Sequence, residues 1–479
     1  MGNVKDNVKS QGLLIGGEWV TKNEVEAIYN KYSNEVIGYV AVTTKSDVDC
    51  AVRIARDKFE NDTLTPYQRY EILHRTAKII ESRKEELAEL ITMETGNTIR
   101  ESLAEVEKTV QTFTLCAEEA KRITGEIVPM QASPGSEHRF AYTMQVPVGV
   151  VCAITPFNGP FNMAAHKVAP AIASGNTIVL KPAPTTPLNA IELALILKEA
   201  GLPDGYLNIV YGDEDTGNWL LDNQDIDFYT FTGSMQVGKI IKERTGLRRV
   251  ALELGNNSGV IVCEDADIEK AAEKCVRNAC QKSGQQCVSV QRVYVHVDVI
   301  GEFEQVAKRV AENLKYGDPM NLETDIGLCH TEDGAKKAEL WVQDALNQGA
   351  ILVTGGKRDG SFFQPTILKN VQPYMKVVCS EVFAPMFSII PFSDFDDAIA
   401  AVNDTIYGLQ AGVFTRDVNK AFRASKKLNM GGVIINNVST FRTGEMPYGG
   451  VKNSGIGREG PKYSIEEMTE KRVVVFELE

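Results

Sequence analysis

The sequence predicts an α/β protein built around a doubly wound parallel sheet. Short apolar runs alternate with amphipathic helical segments from Val150 onward, which is typical of parallel strands joined by helices. The 479 residues exceed what one hydrophobic core organises, so two or three domains are expected. A hydrophobic content of 43% fits a globular chain.

The segment from Thr65 to about Ile123 is predicted to be helical. Thr65, Pro66 and Gln68 supply an N-cap, a first-turn proline and a capping-box side chain. Apolar residues then recur at three- and four-residue spacing. We expect Gly96 to separate two helices.

A β-hairpin is predicted between Arg122 and Val151. Two strand-like runs, RITGEIVP and RFAYTMQVPVGVV, flank the turn-forming segment SPGSE. Such a hairpin commonly serves as an interface, and a surface hairpin without a partner is the alternative. The chain closes on KRVVVFELE, a predicted terminal strand.

The central part of the chain has a βαβα rhythm. Its strand candidates are GVVCAIT, NTIVLKP, LNIVYG, DFYTFTG, RRVALELG and GVIVCE, with AAHKVAPAIASG and LNAIELALILKEAG as helices between them. A second rhythm follows Cys287, with strand candidates RVYVHV, GAILVTGG and MFSIIPF. The pattern indicates a second α/β region after the first.

Charge and composition argue against several classes of protein. A formal charge of −13 argues against a nucleic-acid partner. The longest stretch without charged residues, 140–166, contains prolines and glycines that a membrane span would not tolerate. No signal peptide is apparent, and the nine cysteines form no C-x-x-C pair, so we expect reduced thiols in the cytoplasm. No His/Cys/carboxylate cluster has metal-ligand spacing, so no metal site is expected.

Two segments suggest a dinucleotide site. In FTGSMQVG, Gly233 allows close approach of a ligand, and a helix beginning near Ser234 would offer free N–H groups to a pyrophosphate. The spacing to Gly238 is G-x-x-x-x-G, and an ordinary strand–turn–helix is the alternative. In VLKPAPTTP, Lys181 ends a strand and points towards the ligand crevice, unless it is a solvated surface lysine.

Two further residues suggest catalysis. Glu253 in LELG lies between apolar neighbours at a strand end, where burial would raise its pKa and suit a general base. A salt-bridged carboxylate is the alternative. Cys287 in KSGQQCVSVQ lies in a polar, glycine-containing loop before a strand, where a thiol can be activated. A buried structural thiol is the alternative.

The order of these motifs resembles the aldehyde dehydrogenase superfamily nearly end to end. The matching motifs are TPFN, VLKPA, FTGS, LELG, GQQC, SEVFAP and MPYGGVKNSGIGREG, and Glu253 and Cys287 are 34 positions apart (287 − 253), as in the family. The segment TFRTGEMPYGG is closest to the lactaldehyde dehydrogenase group.

The resemblance implies three structural parts. A Rossmann-type nucleotide-binding domain would comprise residues 1–123 and 148–255, and an α/β catalytic domain residues 256–471. A small β oligomerisation element, residues 124–147 and 472–479, would assemble a homodimer or homotetramer.

The resemblance also implies a mechanism. Cys287 would attack the aldehyde carbonyl, and the Asn158 side chain with the Cys287 N–H would stabilise the resulting oxyanion. Hydride would pass to NAD or NADP, and Glu253 would activate the water that hydrolyses the thioester. The other carried-over coenzyme residues are Lys181 for the adenosine ribose, Gly233, Ser234 and Gly238 for the pyrophosphate turn, Glu381 for the nicotinamide ribose and Phe383 for the nicotinamide.

Two positions depart from the family's usual pattern. Asn256 replaces the second glycine of ELGG. Pro184 stands where strictly NAD-preferring relatives often carry a glutamate that repels a 2′-phosphate. We therefore expect NADP to be accepted alongside NAD.

The substrate is predicted to be a short hydroxylated or anionic aldehyde such as lactaldehyde. Phe157, Met163 and His166 match funnel positions of the family, with ordinary packing as the alternative. Arg442 could recognise a hydroxyl, carboxylate, phosphate or sulfonate, or form a surface salt bridge. Succinate semialdehyde and glyceraldehyde 3-phosphate are alternative substrates.

The residues present argue against two other functions. A CoA-acylating relative would lack the hydrolytic base, so Glu253 argues against it. A non-catalytic binding protein would have lost Cys287 or Glu253, and both are present.

Overall fold

Helices cover the faces of two large sheets in the computed structural model, which describes residues 10–478. The larger sheet has eight strands and the other has seven. Two three-stranded sheets and one two-stranded sheet complete the described architecture. This confirms the predicted α/β class.

The chain begins with short strands and continues with four helices. These elements are β1 (Ser10–Gln11), β2 (Leu13–Ile15), β3 (Glu18–Val20), β4 (Val25–Tyr29), β5 (Val36–Ala41), α1 (Lys45–Asn61), α2 (Pro66–Ser82), α3 (Lys84–Thr95) and α4 (Ile99–Ala120). Thr65 and Gln68 form the predicted capping box of α2, and Gly96 ends α3 at φ 77°. A further break at Arg83, which the apolar spacing did not indicate, separates α2 from α3.

The predicted hairpin forms from β6 (Ile127–Val128) and β7 (Arg139–Pro147). The run RFAYTMQVPVGVV is not one strand, because the chain leaves β7 at Pro147 and starts a different sheet at Val150. Gly149 between them has φ 132°, and a side chain there would collide with the Asp227 carboxylate. The same carboxylate accepts the Val150 N–H at 2.8 Å, which fixes the start of the new strand.

The next segment builds the parallel centre of the eight-stranded sheet. Its elements are β8 (Val150–Ile154), α5 (Pro160–Ser174), β9 (Thr177–Lys181), α6 (Pro187–Glu199), β10 (Leu207–Ile209), α7 (Glu214–Asp222), β11 (Phe228–Thr232), α8 (Met235–Arg244) and β12 (Arg249–Glu253). The spatial order is β10-β9-β8-β11-β12, so the winding direction reverses between β8 and β11. A reversal of this kind opens a crevice at the carboxyl ends of the strands. Lys181 and Glu253 are the last residues of their strands and lie at that edge.

The second α/β rhythm forms the seven-stranded sheet. Its elements, with a small separate hairpin of β16 and β17, are β13 (Gly259–Val262), α9 (Ile268–Cys280), β14 (Arg292–His296), α10 (Ile300–Asn313), α11 (Glu332–Asn347), β15 (Ile351–Thr354), β16 (Arg358–Asp359), β17 (Phe362–Phe363), β18 (Thr366–Lys369), α12 (Lys376–Cys379), β19 (Met386–Phe392), α13 (Phe395–Asn403), β20 (Gln410–Phe414), α14 (Val418–Lys427) and β21 (Gly432–Ile435). The order is β15-β18-β19-β14-β13-β20-β21, and every pair except β15 with β18 is parallel.

After β21 the chain returns to the first sheet. The short β22 (Gly455–Ile456) pairs antiparallel with β12, and α15 (Pro461–Glu467) follows it. Ile465 and Met468 belong to the hydrophobic core of the first sheet. The range 256–471 expected for the catalytic domain therefore includes a segment, 455–468, that packs with the first sheet. The apolar pattern of so short a strand could not indicate this return.

The last strand, β23 (Thr469–Glu477), pairs antiparallel with the whole of β7. It begins three residues before the expected terminal segment, and Glu479 lies outside the described residues. With β6 it completes a three-stranded sheet that stands apart from the two large ones.

Candidate functional site

One cavity of about 200 Å³ lies between the carboxyl edge of the first sheet and the loop that precedes β14. Six of the residues selected from the sequence line this cavity. They are Asn158, Met163, His166, Glu253, Cys287 and Arg442. Lys108, Tyr448 and Glu459, which were not selected, also line it.

The Cys287 thiol is half-buried and forms a hydrogen bond with a tyrosine. Its Sγ lies 2.8 Å from Oη of Tyr448. Burial raises the pKa of Cys287 to about 12, and the Tyr448 hydrogen bond offsets this in part. The negative charges of Glu253 and Glu381 act in the same direction as burial. The sulfur is therefore a protonated thiol at neutral pH.

The loop before Cys287 has an unusual backbone. Lys282 and Ser283 adopt left-handed conformations at φ 50° and φ 53°, which are costly for residues with a side chain. Buried contacts hold this shape, because Lys282 Nζ bonds to Glu105 Oε2 at 2.5 Å and to the Asn158 carbonyl at 2.9 Å. The Asn158 side-chain amide in turn donates to the Gln285 carbonyl at 2.7 Å. These bonds fix the position of Asn158 relative to the loop that carries the thiol.

Glu253 is buried as its sequence context predicted. Burial raises its pKa well above the usual value, and the negative charge of Glu459 raises it further. Its Oε2 is buried and makes no hydrogen bond to any residue in the range 10–478. A carboxylate in this state is a strong base facing the cavity.

A buried charge network forms part of the cavity wall. Arg442 Nη2 donates to Glu459 Oε2 at 2.9 Å, and its guanidinium lies 3.9 Å from the centre of the Tyr448 ring. Lys167 Nζ lies 3.5 Å from the other Glu459 oxygen. Burial alone would raise the pKa of Glu459, but these cations lower it below its usual value. Arg442 is thus no surface salt bridge, since the side chain of its partner is 7% exposed.

Positive charge also borders the cavity on α4. Lys108 lines it and forms no ion pair with the residues that the structure describes. Burial lowers the pKa of Lys108, and the charge of Lys282 lowers it further. Within 10–478, Arg442 uses only Nη2 for hydrogen bonds. Both side chains therefore have donors available for an anion in the cavity.

The predicted adenosine side of the coenzyme site is formed around β9 and β11. Lys181 is buried, burial lowers its pKa to about 8, and it makes no ion pair to a described residue. A buried ammonium without a carboxylate fits hydroxyl groups of a ligand. Ser234 caps α8 and accepts the Val237 N–H at 3.3 Å, with Gly233 before it and Gly238 in the first turn. Pro184 is exposed in the loop after β9.

The predicted nicotinamide side is formed around Glu381. Its Oε1 accepts the Asn256 N–H at 3.0 Å, and burial raises its pKa to about 7. A Cβ on Gly255 would lie 2.5 Å from Glu381 Oε2, so any larger residue would displace the Glu381 carboxylate from this position. Phe383 has φ 60°, a strained conformation often found at functional sites. The charge of Lys337 on α11 also acts on Glu381, and Lys337 was not selected from the sequence.

Phe157 differs from its sequence-based expectation, because it does not line the cavity. Its ring stacks on His330 at 4.1 Å and meets Phe383 edge to face at 6.1 Å. His330 Nε2 lies 2.6 Å from Thr185 Oγ1, and the His330 N–H donates to Gln285 Oε1 at 3.0 Å. Phe157 therefore packs against His330 and Phe383, outside the cavity that contains Cys287.

Some of the cavity residues that the sequence analysis missed lie in recognisable motifs, and others do not. Tyr448 and Glu459 lie inside MPYGGVKNSGIGREG, a motif that was recognised without assigning its polar members. Lys167 lies fully buried on α5. A lysine within the apolar segment AAHKVAPAIAS indicates a buried charge, so this residue could have been found from the sequence. Lys108 and His330 had no comparable sequence signal.

Comparison with known proteins places this geometry in a family. The aldehyde dehydrogenase family matches residues 19–474. The 3-sulfolactaldehyde dehydrogenase of Priestia aryabhattai is 50% identical over 472 residues, covering 98% of this chain and 99% of the relative. The lactaldehyde dehydrogenase of Methanococcus aeolicus is 39% identical over 469 residues, covering 97% and 99%.

Solved structures agree with this placement. Aldehyde dehydrogenase 21 of Physcomitrella patens, in complex with succinate, has a TM-score of 0.96 at 35% identity and covers 98% of this chain and 99% of its own. The glyceraldehyde-3-phosphate dehydrogenase GapN of Methanocaldococcus jannaschii, complexed with NADP, has a TM-score of 0.91 at 37% identity and covers 95% and 100%.

The chain belongs to the aldehyde dehydrogenase family. It is an oxidoreductase of that type, and its coenzyme is NAD or NADP. The predicted fold and enzyme class are thereby confirmed. Among residues 10–478, no helix combines the length and apolar character that a bilayer crossing requires.

Proposed function

We propose that this enzyme oxidises a short 2-hydroxyaldehyde with an anionic tail, of the 3-sulfolactaldehyde kind, to the corresponding carboxylic acid. The observation that carries the proposal is the single cavity that joins Cys287 and Glu253 to Lys108 and Arg442. The names of the two relatives, which act on sulfolactaldehyde and lactaldehyde, support the same substrate class.

In the proposed reaction the Cys287 thiol loses its proton to solvent water, and the sulfur adds to the aldehyde carbon. The carbonyl oxygen becomes an oxyanion, to which Asn158 and the Cys287 N–H are expected to donate. Bound NAD or NADP supplies the hydride acceptor. Glu253 then removes a proton from the water that attacks the thioester, and the acid leaves as Cys287 is released. The raised pKa of Glu253 suits this step.

The proposed coenzyme contacts use the remaining predicted residues. Lys181 would bind the adenosine ribose, Glu381 the nicotinamide ribose, and the α8 N-terminus at Ser234 the pyrophosphate. Buried Lys181 and the close approach of Gly255 to Glu381 support this assignment. Because Pro184 carries no charge, we propose that NAD and NADP are both used.

Positive charges around the cavity favour a substrate with an anionic tail. Lys108 lacks a carboxylate partner among the described residues, and Arg442 keeps unused guanidinium N–H groups. Sulfonate and carboxylate groups accept hydrogen bonds from both side chains. Succinate semialdehyde is the second candidate, because the Physcomitrella patens structure contains succinate.

The test replaces Lys108 with methionine, which keeps the side chain's length and removes its charge. KM for 3-sulfolactaldehyde is expected to rise roughly threefold to tenfold, since one charged hydrogen bond is lost, while KM for lactaldehyde changes less than twofold. Lys78→Met, at an exposed position on α2, controls for net charge. Equal KM changes for both aldehydes would contradict the anionic tail.

We also propose that the chain forms a homodimer or homotetramer in the cytoplasm. The sheet of β6, β7 and β23 presents exposed apolar side chains, including Ile127, Phe140, Val473 and Phe476. Apolar side chains on a sheet with a free edge favour pairing with another chain. All nine cysteines are free thiols, which fits a reducing compartment.

A further inference from the structure

The Tyr448 hydroxyl is the hydrogen-bonding group in contact with the nucleophile, and the proposed chemistry gives it no role. Its oxygen lies 2.8 Å from Cys287 Sγ, and the residue is 5% exposed. A buried hydroxyl is costly when it has no partner. What happens to this hydroxyl when the sulfur reacts therefore matters for the energy of the reaction.

Tyr448 is held so firmly that its hydroxyl cannot move to a distant partner. Its backbone N–H donates to the Glu459 carbonyl at 2.9 Å, and the Glu459 N–H donates back at 2.6 Å. The Arg442 guanidinium covers the ring at 3.9 Å. Val288 and Leu409 pack with it in a small apolar cluster.

Bond formation at the sulfur removes the present partner. The thiol proton passes to solvent water, the S–C bond forms as the C=O π bond breaks, and the sulfur becomes a thioether-like atom, which is a weak acceptor. Tyr448 Oη then needs another hydrogen-bonding atom close to the same sulfur. An oxygen on carbon 2 of the aldehyde is three bonds from Sγ (S–C1, C1–C2, C2–O), so it lies within reach of a group that contacts Sγ.

We propose that Tyr448 is a specificity-determining residue that hydrogen-bonds the 2-hydroxyl of the covalently bound substrate. The inference rests on the proposed function, since it names the group recognised beside the reacting carbon. Arg442 and Lys108 bind the far end of the substrate, and Tyr448 binds the near end. An aldehyde without a 2-oxygen leaves the buried hydroxyl unpaired, and such substrates are strongly disfavoured.

The test compares lactaldehyde with propanal, which differ by the 2-hydroxyl alone. In the wild-type enzyme kcat/KM is expected to be at least about tenfold higher for lactaldehyde. Tyr448→Phe keeps the ring and removes the hydroxyl, and it should reduce that ratio about tenfold. Thermal unfolding and coenzyme binding establish that the variant is folded.

Two results would overturn the proposal. Equal kcat/KM for the two aldehydes in the wild-type enzyme would do so without any variant. A ratio that Tyr448→Phe leaves within twofold of wild type would also do so, even when both rates fall, because the hydroxyl would then serve the thiol alone. Neither aldehyde is charged, so failure of the anionic-tail proposal is read separately from the Lys108→Met experiment.

Discussion

Replacing Arg442 with methionine tests the buried charge network directly. The substitution removes the guanidinium that lies 2.9 Å from Glu459 Oε2 and keeps an apolar side chain over the Tyr448 ring. Glu459 would remain buried and negatively charged. Lys167, 3.5 Å from its other oxygen, would be its remaining cation partner in the network.

This geometry sets the expected loss in the free energy of unfolding. Removing one member of a buried ion pair costs about 3–5 kcal/mol of unfolding free energy. Because Lys167 retains part of the compensation, we expect about 3 kcal/mol, at the lower end of that range. Loss of the network should also lower kcat/KM for neutral lactaldehyde, because Arg442 packs on the Tyr448 ring beside the thiol.

The assay is a double-mutant cycle in urea. Arg442→Met, Glu459→Gln and the double variant are unfolded under one set of conditions, and the coupling free energy is expected to exceed about 1 kcal/mol. Arg458→Met is the matched control, because the Arg458 guanidinium donates to the backbone carbonyls of Gly450 and Gly457 and forms no ion pair with a carboxylate in the described range 10–478. Additive losses, with coupling below about 0.3 kcal/mol, would refute the argument.

Two further experiments address the catalytic pair. Glu253→Gln removes the base but leaves the thiol, so a coenzyme-reduction burst should persist while steady-state turnover falls at least about a hundredfold; loss of the burst as well would contradict a hydrolytic role. Because burial raises the pKa of Cys287 to about 12, the rate of its alkylation by iodoacetamide in coenzyme-free enzyme should keep rising with pH from 7 to 10. A plateau reached near neutral pH would show that the thiolate forms much more easily.

Much of the fold could be predicted because its signals are local. The capping box at Thr65 and Gln68, the left-handed Gly96 and the βαβα alternation each depend on a few neighbouring residues. The strands before α1 were missed, because they have two to six residues each and show no clear period. The division between β7 and β8 depends on Asp227, which a reading of the hairpin alone cannot include.

In the candidate site, too, the residues in local motifs could be predicted and the long-range contacts could not. Cys287, Glu253 and Asn158 lie in motifs whose order along the chain is specific, and the structure brings them to one cavity. Lys167 and Glu459 are 292 positions apart, so their contact follows from tertiary packing. The family resemblance predicts a funnel position for Phe157, but its ring stacks on His330 instead, a contact that only the tertiary structure shows.

The return of residues 455–468 to the first sheet has a consequence for biosynthesis. The nucleophile is translated long before Glu459 and β22, which complete the wall around it. A nascent chain that ends before residue 455 lacks both β22 and Glu459. The catalytic cavity is thus complete only in a chain that extends at least to Glu459.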